Sequence, residues 1–378
     1  MSMRIVSIVG ARPQFVKLAT ICRAVAKREG WVHRIIHTGQ HYDPSMSSVF
    51  FEELGIPRPD HDLGVGSGSH GEQTGEMLKR LEPVLIAEQP DWVLLYGDTN
   101  STMAGAIVAS KLGLRTAHIE AGLRSHRRAM PEEINRIVAD HLSDLLLCPT
   151  VLAVDNLRKE GLADRAVMTG DVMYDATVTY RDSAERRGGP LVARWAAGSF
   201  ALATVHRAEN TDDPEKLSAI VSALDEIART VCPVVWPVHP RTRKHLAEVN
   251  RPMDGVTMIE PLSYFDMLLL EGRARFILTD SGGVQKEAYF FKVPCVTLRD
   301  ETEWEETLNN RCNVLTGSDK DRILRATAAI GSAGPWTAAY GDANAAHAVL
   351  EALAAAINRG VGGVSAGNSG SAGRQAAL

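Results

Sequence analysis

Along most of the chain, short contiguous runs of apolar and β-branched residues alternate with longer segments in which apolar positions return every third or fourth residue. The first pattern is that of strands buried on both faces, the second that of helices covering them. The runs predict strands over Arg4–Val9, Arg34–His37, Trp92–Tyr96, Thr116–Ile119 and Asp144–Cys148, and then over Phe200–Val205, Val234–Val238, Val256–Ile259, Phe276–Leu278 and Cys295–Leu298. Helices are predicted over Pro13–Arg28, Ser101–Leu112, Pro131–Leu142, Pro214–Arg229 and Gly283–Phe291. Regular alternation of the two makes an α/β protein with parallel, doubly wound sheets. The pattern lapses in the polar stretch Arg181–Gly189 and restarts with the strand at Phe200. Two Rossmann-like domains are therefore expected, 1–180 and 190–357, followed by a Gly-, Ser- and Ala-rich tail, 358–378, expected to be disordered. Two such domains facing each other bring the carboxyl ends of both sheets to one central cleft, so polar residues just after strands are the functional candidates.

Composition narrows the partners. The chain has 378 residues, enough for two cores, and a formal charge of −5 that argues against nucleic acid or an acidic membrane as main partner. Its five cysteines are odd in number and form no C-x-x-C pair, which argues against a disulfide framework or thiolate zinc site and for a reducing cytoplasm. The opening apolar run is broken by Arg12 and Pro13, too early for a signal peptide, and no apolar span is long enough for a membrane helix. A soluble cytoplasmic protein is expected.

The segment Leu278–Ala288, L-T-D-S-G-G-V-Q-K-E-A, reads as strand, glycine turn and helix start. Ser281 is placed to cap the helix, and Gly282 and Gly283 remove side chains where an anion such as a diphosphate would approach the free amides. Asp98, in Y-G-D-T-N-S-T, sits at a strand's carboxyl edge and reads either as a helix cap or as a site carboxylate. Glu120 ends a strand in A-H-I-E-A-G-L-R-S, where burial demands a partner or a purpose; Arg124 is the nearest candidate partner. Glu132 and Glu133 follow Pro131 at a helix start, where the dipole alone favours acids. Two cationic pairs follow strands, His206 with Arg207 and His239 with Arg241, and suit phosphate oxygens. Arg12 and Lys17, after the first strand, also suit an anion. Metal binding is not expected: no helical H-x-x-x-H occurs, and His37 with His41 only flank a turn. Gly66, Gly68 and Gly71 match G-x-G-x-x-G formally, but they follow a polar loop rather than a strand, so a dinucleotide fingerprint is rejected in favour of a loop over the cleft.

Taken together, G-A-R-P-Q-F-V-K, Y-G-D-T-N-S-T, E-A-G-L-R-S, M-P-E-E-I-N-R, H-R-A-E-N-T, H-P-R-T and D-S-G-G-V-Q-K-E-A resemble the non-hydrolysing UDP-N-acetylglucosamine 2-epimerase family from about Arg4 to Gly317. The resemblance implies a GT-B-type fold, a UDP-sugar substrate, no metal or nicotinamide cofactor, a homodimer, and inversion at C2 by loss and re-addition of UDP through 2-acetamidoglucal. It aligns Asp98, Glu120 and Glu132 with catalytic acids, overriding the dipole reading of Glu132. It aligns His206 with the group that steadies departing UDP, and Arg12, Lys17, Ser281, Gly283 and Glu287 with nucleotide contacts, Glu287 holding the ribose. Departures are specific. T-E-W-E-E puts Trp304 where many members have an arginine, so one cationic contact is expected to be missing, and the span from Glu120 to Pro131 is short. With T-G-Q-H-Y-D and Q-K-E-A, these features look more like the branch acting on UDP-2,3-diacetamido-2,3-dideoxyglucuronate. G-Q-H-Y-D-P in place of A-Q-H-R predicts weak or absent allostery. A hydrolysing relative, a GT-B glycosyltransferase and a non-catalytic binding protein are the competing readings.

Overall fold

Each predicted strand is present and parallel to its neighbours in the structure, a computed structural model that describes residues 2–40, 50–187, 193–247, 249 and 253–359. The first sheet has the order β3-β2-β1-β4-β5-β6-β7. Its strands are β1 (Met3–Val9), β2 (Trp31–His37), β3 (His61–Asp62), β4 (Trp92–Tyr96), β5 (Thr116–Ile119), β6 (Leu145–Cys148) and β7 (Ala166–Met168). The second has the order β10-β9-β8-β11-β12-β13, built from β8 (Ala201–Thr204), β9 (Val234–Pro237), β10 (Val256–Ile259), β11 (Phe276–Thr279), β12 (Cys295–Thr297) and β13 (Asn313–Leu315). The sequence pattern missed β3, β7 and β13, all edge strands of two or three residues and too short to leave a period. In each sheet the strand order reverses beside the first strand, at β1 and at β8, and these crevices face one cleft in the expected GT-B-type arrangement.

The helices that follow the strands of the first lobe are α1 (Arg12–Val25), α2 (His70–Glu88), α3 (Asn100–Lys111), α4 (Pro131–Leu142), α5 (Val151–Lys159) and α6 (Val172–Arg187). Those of the second are α7 (Ala208–Thr211), α8 (Pro214–Thr230), α9 (Pro240–Leu246), α10 (Tyr264–Arg273), α11 (Gly282–Phe290) and α12 (Lys320–Ala328), and α13 (Ala345–Asn358) ends the described chain. Central strands are buried along their length, which is why they read as unbroken apolar runs: all five residues of β4 are inaccessible. Pairing of Tyr96 with Ile119 sets Gly97–Asp98 and Glu120 side by side at the carboxyl edge.

Two expectations change. Arg181–Arg187 is not a lapse in structure but the end of α6, because Tyr180 and Ala184 bury its inner face while Arg181 and Glu185 pair on the outer one at 3.2 Å. The stretch 190–357 does not stay with the second sheet. Its last helix, α13, buries Val349, Leu350 and Leu353 in the core shared with α1 and α6, so the chain crosses back to complete the first lobe. Asp175 on α6 accepts the backbone N–H groups of Ala345 and Ala346, at 3.0 and 2.7 Å, and pins the start of α13. The end of the expected boundary stretch (188–189), most of the tail (360–378) and His41–Asp43 lie outside the described residues.

Candidate active site

A cavity of about 570 Å³ opens between the two lobes where their sheet edges meet. Asp98, Glu120, Glu132, Lys17, His206, Arg207, Ser281, Gly282 and Gly283, all named from the sequence, line it. The others stand elsewhere. Arg12 packs over the Phe50 ring, 5.3 Å from its centroid, and His239 is exposed with its ring 6.2 Å from that of His206. Glu287 is buried behind the cavity wall, where burial first and then Asp171 push its carboxyl up to about 7 against the opposing pull of Tyr264 and Lys286. The side chain of Arg241 lies outside the described residues.

On the first-lobe wall, each acid owes its place to a strand end or helix start, and Asp98 and Glu120 find their cationic partners far away in sequence. Asp98 is not the helix cap. Thr99 takes that role, its hydroxyl accepting from Thr102 N, and Asp98 instead accepts from Arg136 Nη2 at 2.8 Å. Arg136 is buried on α4 and also donates to Glu133 at 2.6 Å. Its burial alone would lower its pKa, but Asp98, Glu303 and Glu133 together raise it, so the guanidinium stays charged. Asn135, one residue earlier, donates to the Asp98 carbonyl at 2.9 Å and to Asn100 Oδ1 at 3.1 Å, fixing the loop.

Glu120 does not pair with Arg124. That arginine turns away to Asp140 and Glu160, at 2.7 and 2.6 Å. Glu120 lies in the left-handed region at φ 72°, an uncommon conformation for a residue with a side chain, and this turn carries its carboxylate into the cleft. There it accepts from Lys17 Nζ at 2.6 Å and Lys286 Nζ at 3.0 Å. Burial would raise its pKa, but the two ammonium groups overcome this and hold it well below the usual carboxylate range. Gly97 makes room: a Cβ there would stand 2.9 Å from Lys17 Nζ, on a backbone with φ 61°. Behind this layer, the ring nitrogens of buried His118 lie 2.7 Å from Asp140 Oδ1 and 2.7 Å from the Gly97 carbonyl, tying the two strand ends together.

Glu132 and Glu133, indistinguishable by helix-dipole reasoning, part company in three dimensions. Glu133 is buried and accepts from Ser125 N, Ser125 Oγ, His126 N and Arg136. Glu132 faces the cavity and has no side-chain partner among the described residues.

The second-lobe wall joins a helix start to the side chains around it. Ser281 caps α11, its hydroxyl accepting from Val284 N at 3.4 Å, so the helix start points into the cavity. Gly282 is required for a reason the sequence did not supply: a Cβ there would stand 2.6 Å from Glu303 Oε1 and 3.2 Å from Trp304 Nε1. Trp304 lines the cavity, and Lys286 Nζ lies 3.8 Å from its ring centroid. His206 and Arg207 are held by Asp280, a buried carboxylate that accepts both their backbone N–H groups, at 3.1 and 3.0 Å, and Asn210 Nδ2 at 3.1 Å. The His206 ring stays half-exposed, its Nδ1 3.5 Å from Asp280.

Sequence reasoning missed Arg136, Lys286 and Asp280. Asp280 and Lys286 were signalled by position, flanking the glycine turn; nothing local marked Arg136. Among the described residues no cluster of His, Cys, Asp or Glu is arranged to hold a metal, and no helix is long and apolar enough to cross a membrane.

An anion-facing helix start opposite three carboxylates suits a nucleotide diphosphate whose attached group undergoes proton transfer. The family model for UDP-N-acetylglucosamine 2-epimerase matches residues 23–354. A UDP-N-acetylglucosamine 2-epimerase homolog of Methanococcus maripaludis is 48% identical over 93% of this chain and 99% of its own length. The UDP-2,3-diacetamido-2,3-dideoxy-D-glucuronate 2-epimerase of Pseudomonas aeruginosa is 50% identical over 85% of this chain and 90% of its own. The crystal structure of the Methanocaldococcus jannaschii UDP-GlcNAc 2-epimerase in complex with UDP-GlcNAc and UDP superposes with a TM-score of 0.86 at 42% identity, covering 93% of this chain and all of that one. The chain belongs to the UDP-N-acetylglucosamine 2-epimerase family of isomerases.

Proposed function

We propose that this protein is a non-hydrolysing 2-epimerase that interconverts UDP-GlcNAc and UDP-ManNAc by elimination and re-addition of UDP. The observation that carries the reading is the set of three carboxylates around one cavity opposite a helix start: Asp98 paired with Arg136, Glu120 with two lysines, and Glu132 with no cation among the described residues. The C2 proton is not next to a carbonyl, so removing it needs a leaving group on the neighbouring carbon. A carboxylate takes the proton, the C2–H electrons form a C1–C2 double bond, and the C1–O bond breaks with its electrons leaving on the UDP phosphate oxygen. His206, Arg207 and the α11 start are placed to stabilise that diphosphate. Return of UDP to C1, with a proton delivered to the opposite face of C2, completes the inversion. Acid/base groups on two faces account for more than one carboxylate.

A second substrate is favoured by specific observations: the 50% identical Pseudomonas relative and Trp304 at the cavity both support UDP-2,3-diacetamido-2,3-dideoxyglucuronate. Proton NMR in deuterated water separates the readings. UDP-ManNAc carrying deuterium at C2 is expected from UDP-GlcNAc; turnover of the diacetamido uronate alone would select the second substrate, and free sugar with irreversible UDP release would replace either with a hydrolase. We further infer a homodimer acting in the cytoplasm, to which the five unpaired cysteines lend support. Sedimentation showing only monomer would remove the dimer.

A further inference from the structure

Lys286 belongs to α11 of the second lobe, yet its ammonium group is buried among first-lobe carboxylates, 3.0 Å from Glu120 Oε2 and 2.8 Å from Asp171 Oδ2. Asp171 is itself fixed, because its other oxygen accepts Met173 N at 2.7 Å and caps α6. The remaining side of the ammonium rests on the Trp304 indole, 3.8 Å from the ring centroid. Lys17, the other cation on Glu120, comes from the same lobe as the carboxylate.

We propose that Lys286 is a positioning residue that delivers a second cation across the cleft to Glu120, so that the carboxylate is held between two lysines, and so aimed, only while the two lobes are docked. Trp304 belongs to the same device. An arginine at 304 would set a second cation against the Lys286 ammonium, whereas the indole face accepts it, so the cation expected to be missing at 304 is carried by 286. The groups facing this pair are Lys17 from α1, Asp171 ahead of α6, Glu287 on α11, Glu306 beyond Trp304 and Tyr340 ahead of α13. Of these, the lysines alone supply positive charge to Glu120, and Lys286 is the one that lobe separation would remove.

The inference rests on the proposed role of Glu120, and its test reads the carboxyl group directly as well as turnover. Glu120 is assigned in difference infrared spectra by the band lost in Glu120→Gln, then titrated in the wild type and in Lys286→Met. Its protonation is expected to move up by about one to three pH units in Lys286→Met, the range for losing an opposite charge at close distance. The acidic limb of kcat should follow it; at neutral pH, where Glu120 stays ionised, kcat should still fall by about a hundredfold through the lost aim of its carboxylate, and the KM for the UDP-sugar should change little. Lys286→Arg should restore the wild-type limb. Lys286→Met leaves Asp171 buried and unpaired, so Asp171→Asn combined with Lys286→Met provides a variant with no orphan charge; it should recover stability but keep the raised limb. An unshifted Glu120 band in either Met variant would reduce Lys286 to an interlobe staple and overturn the proposal. A wild-type protein inactive on every UDP-sugar would instead remove the proposed function, while the infrared titration would still decide the role of Lys286.

Discussion

The two walls of the cleft reach their charge by different routes. On the first-lobe wall, Glu120 is set by Lys17 and Lys286, Asp98 by Arg136, and Glu133 by Ser125 and Arg136; the two lysines and the Asp98 partner lie on separate elements brought together only by folding. On the second-lobe wall, the helix-start amides come from one turn, Leu278–Ala288, in which a serine cap, a helix start and two glycines are consecutive, while His206 and Arg207 are held beside it by Asp280. Charged side chains held in a buried wall need counter-charges, and these are tertiary. Exposed N–H groups at a helix start are set by the residues of the turn itself, and these are local.

Glu120→Gln breaks the contrast most severely. It is expected to lower kcat by about a thousandfold while UDP still binds the second-lobe wall, measurable as lost C2 proton exchange beside retained UDP calorimetry. Lys17→Met attacks the same wall through stability. Removing one partner of a buried ion pair should cost about 3 kcal/mol in denaturant unfolding. Because the folded-state pKa of Glu120 is depressed from 4.5 to about 2, its pairing stabilises the protein above the ordinary carboxylate pKa, and that contribution is lost as pH falls through this range. Lys17→Met should therefore show a flatter loss of stability in acid than the wild type.

Glu132→Gln and Glu133→Gln sharpen the comparison within one helix turn. The first should reduce turnover by about a hundredfold and leave the melting temperature in place; the second should lower the melting temperature, since it removes the charge facing Arg136 and one of the two oxygens that accept from Ser125, His126 and Arg136. The second-lobe wall should respond more gently. Gly282→Ala forces a methyl against Glu303, whose own pairing with Arg299 at 2.9 Å keeps it from retreating, and UDP affinity should fall about tenfold. Ser281→Ala removes only a cap and should cost about 1 kcal/mol of stability with a small change in UDP affinity.

What could be read beforehand follows the same division. Buried central strands announce themselves as apolar runs because both faces are covered, and the D-S-G-G turn is legible because its conformation follows from its own residues. The edge strands β3, β7 and β13 were invisible for want of length, and α6 runs on to Arg187 because Ala184 packs where only a polar stretch was read. Partners were the weakest inference. Arg124 was chosen for Glu120 by proximity along the chain, but the left-handed turn at Glu120 aims its carboxylate away from that arginine and toward α1 and α11. Likewise Asp98 and Thr99 both fit a cap, and only the position of Arg136 on α4 decides which of them remains for the cavity.

By itself the sequence determined the alternation of strand and helix, the two doubly wound units, and the glycine turn that opens a helix, since each depends on side-chain period or on residues adjacent in the chain. The tertiary structure decided which carboxylates are neutralised, which one stands without a cation, that α13 returns to the first lobe, and that Lys286 reaches across the cleft. Those outcomes depend on the separation between charges in a buried, low-dielectric space, and distances between residues 38 to 166 positions apart exist only once the lobes have folded and, for Lys286, met.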